Sequence, residues 1–187
     1  MTPAVQPVSL VYRIDSHNRI TWVNETWTDF ARENHGKGVL PERVIGTNLF
    51  ASLSDDRVQG LYAVILKRVR TGVTVEFSYR CDAPDRRREF AMTVRPLKDF
   101  GIEFMSTMTG EEIRPSVPLL EPGHPRTRTL LPVCSWCQKI ATPDGRWLPV
   151  EEAVTVLQLD KAEQLPDITH GICEACLGEM LAKLQKM

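Results

Sequence analysis

Two Cys-x-x-Cys pairs, Cys134-Ser-Trp-Cys137 and Cys173-Glu-Ala-Cys176, constrain this chain more than any other feature. Such a pair presents two thiolates from one tight turn, and zinc takes four thiolate or imidazole ligands at the corners of a tetrahedron, so two pairs make a complete shell. A complete shell leaves no position for water, which predicts a structural rather than a catalytic ion. The pairs stand 35 residues apart (138–172), a gap longer than in most zinc ribbons. A separate redox role for each pair is the competing use of the same thiols. Four cysteines also hold iron–sulfur clusters, although neither the spacing nor the flanks match the cluster motifs. His170, three residues before Cys173, is expected to support the loop by hydrogen bonding rather than to ligate.

The flanks place the two pairs on different elements. Leu130 to Val133 reads as a strand running into the first pair, which puts Cys134 and Cys137 on a knuckle. Ile172, Cys176, Leu177, Met180, Leu181 and Leu184 recur at helical spacing. The second pair therefore opens a helix, whose positive dipole end favours thiolates. The fifth cysteine, Cys81, stands alone, and this usage suits a reducing cytosol better than a disulfide framework. Met1 to Pro7 lacks the basic-then-apolar pattern of a secretory signal, and no later stretch reaches the length of a membrane span, so a soluble cytoplasmic protein is expected.

Upstream, Val8, Leu10, Tyr12 and Ile14 alternate as in a half-buried strand, Asp15 to Arg19 supplies turn formers, and Ile20 to Val23 reads as a second strand. Asn24 caps a predicted helix with Trp27, Phe30 and Ala31 on one face, and Trp22 and Trp27 are both expected in the core. Asp55-Asp56 opens the clearest helix, with Val58, Leu61, Tyr62, Ile65, Leu66 and Val69 at helical spacing as far as Thr71-Gly72. Val73 to Cys81 alternates strictly, Asp82 to Arg88 reads as a polar reversal, Phe90 to Val94 alternates back, and Ile102 to Met108 is a last strand. This order predicts an α+β domain, one antiparallel sheet of five strands with helices on a single face. Pro115, Pro118, Pro122, Pro125 and Pro132 are too closely spaced for helix or sheet. The expected division is thus a domain over 8–110, a semi-extended linker over 111–132 and a cysteine module over 133–187.

The opening Val11-Tyr-Arg-Ile-Asp-Ser-His-Asn-Arg-Ile-Thr-Trp-Val-Asn24, the segment Val44-Ile-Gly-Thr-Asn-Leu-Phe50, and the long helix and three strands behind them resemble a PAS domain. Phe77 to Arg88 is similar to the corresponding stretch of short bacterial PAS proteins. Cys134 to Ile140, Gly145 to Glu152 and Thr169 to Cys176 resemble a cysteine module attached to bacterial PAS and other signalling domains, and the knuckle-plus-helix layout resembles a treble-clef zinc unit. The resemblance implies a sensor in signal transduction, without implying which signal it reads. It departs from light-sensing members in lacking their flavin-linking cysteine motif.

In a PAS-like unit a ligand lies between sheet and helices, which makes Phe30, Ile65, Phe77, Tyr79, Met92 and Phe104 candidate pocket walls, or simply core, for a ligand the sequence leaves unknown. His17 and His35 fall at a turn and a helix end, where solvated histidines are the rule. No nucleophile elbow, phosphate loop or metal-hydrolase motif is present, and no transmitter helix or cyclic-dinucleotide output motif, so an enzyme is not expected. Any output passes through a protein partner or through the cysteine module, and two copies can pair through the PAS-like part. The net charge of −1 argues against a polyanion or a membrane surface. From Pro132 to Met187, five basic residues stand against eight acidic ones, which disfavours a transcription factor reading DNA through the module. Arg86-Arg87-Arg88, the one basic run, reads as a solvated turn. The expected function is a cytoplasmic signalling or regulatory protein with a structural zinc interaction module, its rival a thiol redox switch.

Overall fold

Alternation turns Leu10, Tyr12 and Ile14 of β1 (Ser9–Ile14) into the interior. The Asp15 carboxylate accepts the amides of His17 and Arg19 and so closes the turn into β2 (Ile20–Val23). The computed structural model describes residues 8–187; Met1 to Pro7, read above as lacking a signal, lies outside them. α1 (Glu25–Glu33) starts at Asn24, whose side chain accepts the Trp27 amide as an N-cap. A short α2 (Pro41–Val44) follows, then α3 (Asp56–Arg70), capped by Asp55 through the Val58 amide and ended at Thr71. β3 (Val75–Arg80), β4 (Arg86–Pro96) and β5 (Ile102–Ile113) complete a five-stranded antiparallel sheet in the order β2-β1-β5-β4-β3. α3 buries Val58, Leu61, Ile65, Leu66 and Val69 against the inner side chains of that sheet, giving the α+β architecture.

The opposite face of the sheet is polar, and Trp22 belongs to it rather than to the core. The pairing register shifts between Arg13 and Ile14, which breaks the alternation of β2 so that Ile20 and Val23 both point inward. Trp22 is left 40% exposed, with the Arg13 guanidinium 4.5 Å above its ring. Trp27 packs partly buried against the core and donates its indole N–H to the Val39 carbonyl.

The arginine run is likewise not a turn. Arg86, Arg87 and Arg88 lie in β4, opposite Ile113, Glu112 and Glu111 of β5. Arg86 and Arg88 both reach Glu111 at 3.2 Å, and Arg87 reaches Glu112 and Glu151. The strand begins there because the Ala83–Arg86 bridge closes a hairpin much shorter than the polar stretch suggests. Cys81 stands one residue beyond the end of β3.

A second sheet holds β6 (Arg126–Cys134), β7 (Ile140–Ala141), β8 (Trp147–Leu148) and β9 (Leu165–Gly171) in the order β8-β7-β6-β9. β6 and β9 run parallel, and the connection between them carries the β7–β8 hairpin and α4 (Val150–Val156). α5 (Glu174–Gln185) ends the described chain. Val117, Leu119, Leu131, Val133, Ile140, Leu148, Val150, Ala153 and Leu165 form its core.

The proline-spaced stretch 111–132 is not a semi-extended linker. Its first residues extend β5, its last form most of β6, and Val117 and Leu119 are buried in the second core. Prolines exclude a helix interior but neither burial nor a strand: Pro132 lies within β6 opposite Thr169, and a single 3-10 turn at Pro118–Leu120 suffices to turn Leu119 inward. Arg114 fastens the segment on both sides, reaching Asp82 of the β3–β4 hairpin at 3.2 Å and Glu151 of α4 at 2.7 Å.

Candidate metal centre

The four cysteines of the two pairs converge although 35 residues separate them in sequence, their sulfurs all lying within 4.8 Å of one another. Parallel pairing of β6 with β9 brings this about, because Cys134 sits opposite Gly171 and both strands reach the centre at the same end. The first pair occupies a knuckle. The Cys134 amide donates to the Lys139 carbonyl, the Gln138 amide returns to the Cys134 carbonyl, and Gln138 takes a left-handed φ of 60° to complete the turn. The second pair starts α5: Cys173 is its N-cap, with its sulfur accepting the Cys176 amide. Knuckle, β7–β8 hairpin and terminal helix follow in that order, with α4 and β9 set between hairpin and helix.

A tetrahedral ion with sulfur at about 2.3 Å places its ligands about 3.8 Å apart. Cys137 and Cys173 stand at that separation, 3.8 Å. The Cys173 amide points at the Cys134 sulfur from 3.4 Å. The Cys134 thiol is held far below its ordinary pKa, at about 4, because Cys137 donates to it and the amides of Cys173, Cys137 and Trp136 face it. Cys137 is pushed upward by the same shared bond, and Cys176 is pushed to about 12 by burial and its bond to Cys173. Four close thiols sharing protons in this way can hold a metal ion, which replaces those protons. His170 is not in the group. Its side chain lies at the surface while its carbonyl accepts from Ser54.

The centre is built into the first core. Cys134, Trp136, Ile172, Cys173, Met180 and Leu184 pack with the residues of α3 and the five-stranded sheet. The knuckle closes over the end of the edge strand β3: the Arg80 amide donates to the Trp136 carbonyl at 2.8 Å, and the Gln138 side chain donates to the Arg80 carbonyl at 3.1 Å. Arg80 also donates to the Cys137 carbonyl while paired with the fully buried Asp82. On the far side Arg57 of α3 reaches Glu174 at 3.1 Å. Trp136 enters the space between helix and sheet, its ring centroid 5.6 Å from Phe77 and 6.1 Å from Tyr62.

Of the candidate pocket walls, Ile65, Phe77, Met92 and Phe104 lie together in this core, with Tyr79 packed against it. Phe30 stands apart, edge-on to Phe90 and beneath the Arg88 guanidinium. Sequence reasoning passed over Tyr12, stacked on Phe104 at 4.4 Å, and Trp136 itself. The available signal for Trp136 was its place as the one large apolar residue between the two cysteines of the first pair.

Searching the known protein families finds none that matches the chain. An uncharacterised 104.1 kDa protein of Rhodobacter capsulatus, from the region 3′ of hypE, is 35% identical over 92 residues, 45% of this chain and 10% of its own length. The chain thus spans about a tenth of that curated relative. Among solved structures, a domain of an HTR-like protein from Haloarcula marismortui matches 55% of this chain and 98% of its own at 15% identity, TM-score 0.38. The PAS domain of the RpfR quorum-sensing receptor of Cronobacter turicensis, solved with C12:0, matches 57% and 99% at 18% identity, TM-score 0.41. The photoactive yellow protein domain of the sensor kinase Ppr from Rhodospirillum centenum matches 53% and 90% at 21% identity, TM-score 0.36. What those proteins bind or do is theirs alone, and the fold class of this chain rests on its own sheet order.

Proposed function

We propose that this chain is a cytoplasmic signalling or regulatory protein that pairs a PAS-like sensing or dimerising unit with a structural zinc centre formed by Cys134, Cys137, Cys173 and Cys176. The carrying observation is the gathering of four sulfurs within 4.8 Å, from two segments distant in sequence that β6–β9 pairing brings to one end of the sheet. Four cysteines in a tetrahedral group favour zinc over harder cations, and they leave no open ligand position for catalysis. The reading is therefore non-enzymatic, with output through a protein partner or a second copy of the chain. Two features support the absence of nucleic acid among its partners: the acidic excess of the C-terminal unit and the pairing of every arginine in the run Arg86 to Arg88. No helix among the described residues is long and apolar enough to cross a membrane.

Native mass spectrometry of the purified chain tests this. One zinc per chain is the expected result, and iron with visible absorption, or no metal after purification with zinc present, would overturn it.

The proximity of the thiols also supports a second reading, a redox switch. Hydrogen peroxide would take two electrons from each pair of thiolates as one S–S bond forms, be reduced to water and release the ion. Metal content measured before and after peroxide, and again after a thiol reductant, separates a reversible switch from a static centre.

A further inference from the structure

The knuckle that carries two of the four sulfurs also carries Trp136, and the indole is where the five-stranded unit would otherwise be open. Trp136 is 7% exposed, lies between Tyr62 of α3 and Phe77 of β3, and belongs to the core of the first unit rather than to that of the second sheet. Its indole N–H is buried with no acceptor. A donor in that position forfeits the hydrogen bond it makes in water, so the indole is held in place by its neighbours and its backbone and gains a partner on leaving. A cleft of about 320 Å³ already reaches it from the surface, walled by Phe77, Trp136, Cys137, Cys176, Met180 and Lys183. Withdrawal of Trp136 deepens this cleft into the core between α3 and the sheet, beside Phe77 and Tyr62. Two of the four sulfur-bearing residues line the same cleft, so the state of the thiols and the seat of the indole meet in one place.

We propose that Trp136 is a metal-dependent plug: with the four thiolates closed on an ion its indole seals the core of the five-stranded unit, and with the ion released it leaves a recess that accepts a flat apolar ligand about the size of an indole. This rests on the zinc reading above. Without an ion the hydrogen bonds between the knuckle and the start of α5 are sulfur contacts at 3.8 and 3.4 Å, while the Ser135 amide still donates to the Gly171 carbonyl and the Arg80 amide to the Trp136 carbonyl. Trp136 sits between the two cysteines, so the indole swings out as the knuckle loosens about those backbone anchors. The second core contains none of the four cysteines and keeps the β7–β8 hairpin in place during that movement. Occupation of the recess and binding of the ion then oppose each other, and by linkage each weakens the other by the same factor.

The experiment uses the full chain labelled with 5-fluorotryptophan and followed by fluorine NMR, with the Trp136 signal assigned by its loss in Trp136→Phe. With one equivalent of zinc, the Trp136 signal should show no shift between H2O and D2O. Removal of zinc with EDTA should move it to a solvent-sensitive position while the Trp27 signal stays. In a second arm Trp136→Ala, loaded with zinc, should bind 8-anilinonaphthalene-1-sulfonate at one site at least about ten-fold more tightly than the zinc-loaded parent, with free indole competing. Stoichiometric zinc with an unmoved Trp136 signal after its removal would sink the plug and leave the zinc centre standing. Failure to bind zinc at all would sink both. Movement of the Trp27 signal together with Trp136 would show general unfolding and also overturn the proposal. The EDTA arm needs no core substitution, so it decides the matter even where Trp136→Ala folds poorly.

Discussion

At Glu103 a single carboxylate shows how the outer face of the sheet is held. Its side chain is 4% exposed and lies in register with Arg13 on one neighbouring strand and Arg95 on the other, accepting from their Nε atoms at 2.8 and 2.7 Å. Burial pushes the carboxyl upward, but the two guanidinium hydrogen bonds outweigh it and the net pKa is lowered. A group lowered on folding contributes stability that is present above its unfolded value, about 4.3, and is lost as the pH falls through the folded value. Glu103→Gln should therefore cost about 1 kcal/mol at pH 7, the half-exposed arginines reducing what a charged hydrogen bond otherwise gives. In urea titrations the gap between parent and variant should close as the pH drops below about 4, and a gap that persists there would rule out the charge as its source. Cys173 is a residue of the opposite kind, because it serves both as α5 cap and as a member of the sulfur group. Cys173→Ser keeps a capping oxygen but not a good ligand for zinc. Zinc should fall from one per chain to none, while Ala153 and Leu165 in the second core, whose amides donate to the Pro149 and Pro125 carbonyls, stay protected from hydrogen exchange, since that core includes no cysteine. Retention of zinc would mean that His170 had moved in, which Cys173→Ser with His170→Ala would reveal.

Among the elements, those with a local signal were legible in the sequence and those made by distant pairing were not. Asn24 caps α1 as read from its position, Asp55 caps α3 where the acidic pair was read to open that helix, and β1 and β2 fall within a residue of the alternating stretches that predicted them. Asn24 does more than the capping rule requires. Its Oδ1 accepts the amides of Trp27 and Val11, and its Nδ2 donates to the Ser9 carbonyl at 2.8 Å, so one side chain joins β1 to α1. Asn24→Asp preserves the cap but loses the donor, and Asn24→Ala loses both. The alanine variant should be the less stable by about 1 kcal/mol or more in thermal unfolding, with the aspartate between it and the parent. Equal losses would show that the cap alone matters. By contrast, only the end of β6, Leu130 to Val133, was legible, and nothing announced its first half or its parallel partner β9, because a parallel pair is fixed by residues about forty positions apart and carries no turn between them. The same holds for the site. Both cysteine pairs were visible in the sequence, but Trp136 as a wall of the first core was not, since its neighbours Tyr62 and Phe77 are joined to it only by the docking of the knuckle on β3.

Over the whole molecule, two cores are interlocked by segments that cross between them. The chain before residue 128 supplies Val117 and Leu119 to the second core, and the chain after it supplies Cys134, Trp136, Ile172, Cys173, Met180 and Leu184 to the first. Arg114 and Arg87 add ion pairs to Glu151 across the same boundary. The natural place to cut is Thr127–Thr129, where β6 leaves its register with β9 between Arg126 and Leu130 and where Arg128 and Leu130 are exposed. Exposed backbone outside a ladder tolerates insertion. A specific-protease site inserted after Arg128 should therefore be cleaved completely under native conditions, giving two fragments on a denaturing gel. In gel filtration those fragments should still elute as one species of the intact size, because separating them exposes apolar surface from both cores at once. Removal of zinc should weaken the association, since four of the six residues donated to the first core lie within one position of a cysteine of the centre or are such cysteines. Two free fragments in the presence of zinc would mean that the five-stranded unit and the cysteine unit are independent bodies, and the coupling between metal and sheet would fall with that result.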